Sequence, residues 1–260
     1  MSKSKLALVA IGAAVLIVAG VLLWNEKRSS LSYNSDYEYE KAEDGSRKHS
    51  DVTEFYEILT SSPDITPLRQ SAGKGKDEAA TDLMEQFVKE EVANFKENGD
   101  FENLSEEDKD LLGFNDGRKY ALNIEYSMYE GKNTVSYLFT IYADTGGAHP
   151  NGHFRTFTFN RADGRYLLLE DIFFGNYLEK IASLSRAQVI ADIKTQFEGE
   201  PTIFEEGFAP NEENYSNFYI EGATLVIVFP PYQIAAYAAG PQKAEIPLAT
   251  LADYLRAGGI

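Results

Sequence analysis

An uncharged run of 19 residues, positions 6–24, constrains this chain more than any other feature. Every residue in the run is Leu, Ala, Val, Ile, Gly or Trp, and a helix needs roughly 20 such residues to cross a bilayer core. Two lysines precede the run, and Trp24 followed by Lys27 and Arg28 ends it. Indole rings and basic side chains favour the headgroup layer. Residues 1–28 are therefore predicted to be a single-pass N-terminal membrane anchor.

A cleaved signal peptide is the alternative interpretation of this run. Signal peptides have an apolar region of roughly 7–15 residues followed by small residues at a cleavage site. The run here is longer and ends in Val-Leu-Leu-Trp, which favours an uncleaved anchor. The chain has no cysteine, which excludes an acylated lipoprotein, disulfides and cysteine zinc ligands. Only five residues precede the run, so we expect the working part to follow it, outside the cytoplasm at the cell membrane.

The chain after the predicted anchor is strongly acidic. Removing residues 1–24 takes away two of the 24 basic residues and none of the 41 acidic ones, so the net charge is 22 − 41 = −19. Such a charge repels phosphate backbones, so no nucleic-acid partner is expected. It attracts cations and basic proteins. The alternative is that acidity only keeps the domain soluble.

Apolar periodicity predicts the elements that follow. Residues 29–50 are polar without sustained periodicity and are predicted to be a tether. The predicted elements are helices over 77–97 and 177–197, hairpins over 120–141 and 154–169, strands over 51–59, 224–229 and 244–248, and a final helical turn over 249–256. This order predicts an α+β fold with a mostly antiparallel sheet and helices packed on one face. Any division falls between an N-terminal half, 51–145, and a C-terminal half, 146–260.

The loop TGGAHPNGH, 145–153, is the densest candidate for chemistry. His149 and His153 are two of the three histidines, and with Asp144 they are candidate ligands of one metal ion or an acid/base pair. The alternative is that the glycines permit a tight loop and His149 bonds a loop carbonyl. Pro150 makes a helix implausible here, so the spacing of four lacks the helical context of a typical histidine pair.

Two further segments contribute candidate residues. PPYQIAAYAAGP, 230–241, offers Tyr232 and Tyr237 as a binding surface for a peptide or a sugar ring, or else it is a core-lining crossover. Asp171 follows a predicted strand, and with His149 it would form the catalytic pair of an alternative, an envelope hydrolase. No recognised catalytic or cofactor motif occurs in the chain, so no cofactor is predicted.

Three blocks in a fixed order resemble a known family. They are DTGGAH (144–149), GRYLLLEDIF (164–173), and FPPYQI (229–234) with YAAGP (237–241) and the later Ile-Pro pair (246–247). This pattern resembles a bacterial cell-envelope domain of unknown function. That domain is found in the extracellular half of lysozyme-sensing anti-sigma factors (RsiV-like proteins) and in front of a peptidoglycan deacetylase domain. The resemblance covers about 120–255.

The resemblance implies an anchored binding module that recognises a basic, lysozyme-like protein or peptidoglycan. His149, Asp171, Tyr232 and Tyr237 are the candidate binding residues of such a module. The five residues before the apolar run give no counterpart of a folded cytoplasmic segment, so sigma-factor binding is not expected.

Overall fold

The structure, a computed structural model, describes residues 39–43, 46–63, 78–196, 201–258 and 260. Side chains are described from residue 83 onward in the first helix. Glu38–Ile260 form one compact unit. The predicted span over 6–24 and the first part of the predicted tether lie outside the described residues. None of the described helices is both long and apolar enough to cross a membrane.

A seven-stranded sheet forms the larger layer, with its strands ordered as in the sequence. The strands are β1 (Glu40–Lys41), β2 (Arg47–Val52), β3 (Tyr56–Ser62), β4 (Tyr120–Glu130), β5 (Thr134–Asp144), β6 (Asn151–Asn160) and β7 (Tyr166–Leu167). All neighbours are antiparallel except β3 and β4. The α+β class and the mostly antiparallel sheet are confirmed. The strands β1 and β2 include residues 40–41 and 47–50 of the segment predicted to be a tether, so these residues belong to the sheet.

The β4–β5 hairpin confirms the strongest periodicity in the sequence. Every residue from Ala121 to Glu130 pairs in register, from Ala121 with Asp144 to Glu130 with Val135. The odd-numbered side chains of β5, such as Phe139, face the helix α1 (Glu78–Gly99), because Phe87 packs edge-on against Phe139 at 5.5 Å between ring centroids. This face carries the aromatic core of the larger sheet.

A second sheet of three strands covers the other face. Its strands are β8 (Phe218–Glu221), β9 (Thr224–Phe229) and β10 (Gln242–Pro247), in the order β10-β9-β8. Val226 and Val228 of β9 pack with Leu138 of β5, whereas alternate residues such as Ile227 join the core beneath the helix α4 (Tyr177–Gln196). Each long helix therefore packs on the outer face of a different sheet.

Buried hydroxyl groups join β8 to the larger sheet. The backbone N–H of Phe218 donates to Thr156 Oγ1 at 2.9 Å, and that of Ile220 donates to Ser136 Oγ at 3.3 Å. Thr158 Oγ1 lies 3.0 Å from Ser136 Oγ. These side chains satisfy backbone donors that have no ladder partner on this edge of β8, which fixes the smaller sheet on the larger one.

Short helical segments complete the fold. They are α2 (Glu106–Leu111), α3 (Leu169–Ile172) and 3₁₀ segments at Phe114–Asp116, Glu205–Phe208, Tyr237–Ala239 and Leu248–Tyr254. A reciprocal pair of bonds between Ser105 and Asp108 caps α2, which the sequence reasoning did not predict. The final predicted helical turn is a 3₁₀ segment.

Candidate functional site

Two connections distant in sequence meet at one end of the two sheets. The β5–β6 connection carries His149, and the β9–β10 connection carries Tyr232 and Tyr237. The His149 imidazole stacks on the Tyr237 ring, with centroids 3.9 Å apart and planes 16° from parallel. The Tyr232 ring lies 5.9 Å from His149 and 5.5 Å from Tyr237, measured between centroids. These three residues, called the aromatic trio below, form the candidate site.

Hydrogen bonds fix the orientation of the imidazole in the aromatic trio. His149 Nδ1 lies 3.0 Å from the Pro150 carbonyl oxygen, and His149 Nε2 lies 2.8 Å from Tyr232 Oη. A neutral ring protonated on Nδ1 satisfies both contacts, since it donates to the carbonyl and accepts from the hydroxyl. Tyr237 Oη donates to the same Pro150 carbonyl at 3.2 Å. Both ring nitrogens and both hydroxyls therefore have assigned partners.

The backbone at Tyr232 is strained. Its φ is +70°, in the left-handed region that a side chain with a Cβ rarely adopts. Such a conformation costs of order 1–3 kcal/mol and persists only where surrounding contacts hold it. The Tyr232 side chain is nevertheless 49% exposed. A strained backbone that carries an exposed ring is typical of a binding surface rather than of a packing position.

A close backbone approach supports the strained connection from behind. Gln233 Nε2 donates to the carbonyls of Gly207 and Asn214 at 3.1 and 3.0 Å. A Cβ at Gly207 would lie only 2.0 Å from the Gln233 carbonyl oxygen, so glycine is required for this approach. The fully buried Tyr215 hydroxyl donates to the Phe208 carbonyl at 3.0 Å, and burial raises the pKa of Tyr215 to about 12.

Asp171 does not join the aromatic trio. It accepts bonds from Arg165 Nη1 at 2.6 Å and from the Leu168 backbone N–H at 2.9 Å. It follows β7, which pairs with β6 only at Thr158 and Phe159, whereas His149 precedes the first residue of β6. The two groups therefore lie toward opposite ends of β6, across roughly 23 Å of strand at about 3.3 Å per residue. The predicted pairing of His149 with Asp171 in a hydrolase is wrong on this geometry.

His153 is also separated from His149. It is an odd-numbered residue of β6, and its Nε2 lies 3.3 Å from Glu91 of α1. His149 contacts the β9–β10 connection instead, on the side of the smaller sheet. The two imidazoles therefore face opposite sides of the larger sheet, which contradicts a shared metal ion. Among the described residues, no three His, Cys, Asp or Glu side chains are placed to hold one.

The sequence indicated His149, Tyr232 and Tyr237 as candidates together with Asp171, but it did not predict that the first three meet, and it missed the residues that hold them. Gln233 follows Tyr232 directly in the PPYQ block. An amide next to a candidate binding tyrosine is the one signal in the sequence that could have indicated its role. Nothing near Gly207 in the sequence indicates the close approach, because its partner is 26 residues away. Arg165 and Arg256, which line a surface hollow with Asp171, were also missed.

A family model and a curated relative match this chain. Residues 170–249 match the family described as Protein of unknown function (DUF3298). The chain is 27% identical over 184 residues to the peptidoglycan-N-acetylmuramic acid deacetylase PdaC of Bacillus subtilis (strain 168). That alignment covers 70% of this chain and 37% of the relative, so the chain spans little more than a third of the relative's length.

Two crystal structures of DUF3298 family proteins are also similar. One, from Bacteroides fragilis NCTC 9343, has a TM-score of 0.54 at 19% identity over 85% of this chain and 94% of that chain, which shows a shared fold. The other, from Pseudomonas aeruginosa PAO1, has a TM-score of 0.45 at 13% identity over 87% and 98%, which is too low to support an argument. The resemblance predicted from the sequence is confirmed at the level of the matched segment: residues 170–249 fit the model of this family of unknown function.

Proposed function

We propose that this chain is an extracytoplasmic binding module of the cell envelope that recognises a cell-wall glycan through the aromatic trio. The similarity to a protein named as a peptidoglycan deacetylase associates the chain with the envelope. The apolar run at 6–24 would hold it on the membrane with the acidic remainder outside the cytoplasm. The finding that supports a binding role is the aromatic trio itself.

The aromatic trio suits a sugar ring because it combines an apolar face with polar edges. Tyrosine and histidine rings offer flat apolar area at low entropic cost, and their hydroxyl and nitrogen groups remain at the rim. The exposed face of Tyr232 lies beside the stacked pair of His149 and Tyr237. The hydrogen bonds and the strained backbone hold the rings before any ligand arrives, which reduces the ordering cost of binding.

An exposed tyrosine continues this surface along the larger sheet. Tyr142 of β5 is 42% exposed and pairs with Gly152, two residues after Pro150. Its even number places it on the face of β5 that also bears Leu138, which packs against the smaller sheet. Since glycine opposite it leaves the ring uncovered, Tyr142 extends the aromatic surface beyond the trio on the same side of the molecule.

A basic protein, such as a lysozyme-like enzyme, is the second candidate ligand. The net charge of −19 beyond residue 24 favours it, because opposite charges accelerate encounter and fix orientation. Tyrosine is also a common anchor residue in protein interfaces. This ligand predicts binding that weakens as salt is added.

Co-sedimentation of the full chain, kept in detergent, with insoluble peptidoglycan tests the proposal. We expect Tyr232→Ala to weaken binding roughly tenfold or more, since anchor residues of this kind contribute about 2 kcal/mol. Tyr39→Ala is the matched control, because Tyr39 is 42% exposed, against 49% for Tyr232, but precedes β1 at the far edge of the sheet. Equal binding by both variants would refute a role for the aromatic trio. Salt-sensitive binding of lysozyme without binding of peptidoglycan would favour the second candidate.

A further inference from the structure

A surface hollow far from the aromatic trio presents charges of both signs. It has a volume of about 460 Å³ and is lined by Arg165, Glu170, Asp171, Arg256, Ala257 and Gly258. It lies where the C-terminal segment crosses α3, with Phe173 and Leu255 forming a β-bridge and the Arg256 N–H donating to the Ile172 carbonyl at 2.9 Å. Main-chain contacts therefore fix the frame of the hollow.

The guanidinium of Arg256 is held by its inner nitrogen. Arg256 Nε donates to the carbonyls of Glu170 and Phe173, at 2.8 and 2.9 Å. Its two terminal nitrogens, which carry four N–H groups, have no acceptor among the described residues. A guanidinium fixed in this way presents a planar fork that matches a carboxylate. Arg256 is therefore preorganised to bind an anionic group.

The other charged residues of the hollow define the rest of the ligand. Arg165 pairs with Asp171 at 2.6 Å, and Asp171 also accepts the Leu168 N–H, so these two charges satisfy each other. The charges that remain are the Arg256 guanidinium and the exposed Glu170 carboxylate, and both residues line the hollow. One positive and one negative group in the same hollow match a ligand that carries one of each.

We propose that this hollow binds a zwitterionic ligand, an amino acid or a short peptide, with its carboxylate on Arg256 and its ammonium group on Glu170. This site is independent of the aromatic trio, because none of its residues contacts His149, Tyr232 or Tyr237 among the described interactions.

Calorimetric titration of the full chain in detergent with the dipeptide alanylalanine tests the assignment. We expect millimolar binding that weakens roughly tenfold or more for N-acetyl-alanylalanine, which lacks the ammonium group, and for alanylalanine amide, which lacks the carboxylate. Arg256→Gln should abolish binding. Arg161→Gln is the matched control, because Arg161 Nε also donates to a backbone carbonyl, that of Thr134 at 3.0 Å, outside the hollow.

Several outcomes would overturn the proposal. These are no binding of alanylalanine at millimolar concentration, equal binding of the amide, or equal binding of inorganic phosphate, which would indicate a simple oxyanion site. If Arg256→Gln lowers the thermal unfolding midpoint too far to be used, Glu170→Gln takes its place, since that side chain is exposed. It should bind the dipeptide more weakly and the N-acetyl form no differently from the wild-type chain.

Discussion

Replacing Gly207 with alanine would test how firmly the connection that carries Tyr232 and Tyr237 is held. The new Cβ would lie 2.0 Å from the Gln233 carbonyl oxygen and 2.9 Å from Ile234 Cγ2. Ordinary contacts of a Cβ begin near 3.4 Å, so the Gln233 carbonyl must retreat by about 1.4 Å, the difference of these two distances. The obstacle is backbone, which cannot rotate away as a side chain would.

The retreat should cost about 2–4 kcal/mol of unfolding free energy. Overpacking of this kind costs typically 1–3 kcal/mol. The movement also strains the bond from Gln233 Nε2 to the Gly207 carbonyl and that from the Phe204 N–H to the Ile234 carbonyl, each worth about 1 kcal/mol. The loss of glycine entropy in the unfolded chain offsets less than about 1 kcal/mol. For a unit of this size the thermal midpoint should fall by about 4–16 °C.

Thermal unfolding followed by circular dichroism measures this shift. Gly152→Ala is the matched control, because its Cβ would meet nothing nearer than the Ile141 carbonyl oxygen at 3.8 Å and its φ is not positive. We expect the control to change the midpoint by no more than about 2–4 °C. A Gly207→Ala variant as stable as the control would show that the Gln233 connection yields easily. In that case the contact between Gly207 and Gln233 would not be what maintains the strained backbone at Tyr232.

Two further substitutions test the packing of the sheets and the electrostatics of the first helix. Ser136→Ala leaves the buried N–H of Ile220 without its acceptor, so the unfolding free energy measured in urea should fall by about 1–3 kcal/mol. The control Thr140→Ala changes an exposed residue of the same strand and should have little effect. Equal losses in the two variants would refute the hydroxyl contact between the sheets. Burial opposes ionisation of Asp51, but the bond and charge of Lys96, 2.5 Å away, lower its pKa overall below the ordinary 3.8. This stabilisation is present above pH 3.8 and disappears as the pH falls through the folded pKa. In Asp51→Asn the unfolding free energy should therefore fall less steeply with decreasing pH, by under about 1 kcal/mol in total. An unchanged pH dependence in the variant would contradict this contribution.

Elements with a strong local period were predictable from the sequence. The β4–β5 hairpin and the helix α4 repeat their apolar residues at spacings that belong to one kind of structure. The strand β2 was not predictable, because its sequence, RKHSDV, is polar and its side chains alternate only between half-buried and exposed. Residues of this kind have low intrinsic preference for strands. The pairing of β2 with β3 therefore determines its conformation.

The strand β8 was missed for a different reason. It has only four residues, Phe218–Glu221, of which three are buried, so no alternation between buried and exposed side chains is visible. Its polar partners, Ser136 and Thr156, lie on strands more than 60 residues earlier. These serines and threonines read in the sequence as ordinary β-strand residues. Only their position under the smaller sheet gives them a structural role.

The candidate site shows the same division between residue type and spatial arrangement. His149, Tyr232 and Tyr237 were identified because glycine, proline and aromatic residues cluster around them in the sequence. Their contact depends on a bond between residues 83 apart, which periodicity cannot predict. Asp171 was identified by the same kind of reasoning and lies elsewhere, paired with Arg165. Composition therefore indicated the candidate binding segments, and the packing of the two sheets determined which of them are in contact.

The matched DUF3298 segment is not a complete binding unit by itself. Residues 170–249 supply Tyr232, Tyr237 and the whole smaller sheet. The imidazole that stacks on Tyr237 and the carbonyl that accepts from Tyr237 belong to His149 and Pro150, which precede the segment. The hydroxyl groups that satisfy β8 also come from the larger sheet. Since strain at Tyr232 persists only where its surroundings hold it, the aromatic trio requires both sheets, and a chain reduced to 170–249 should lose the site before any ligand is offered.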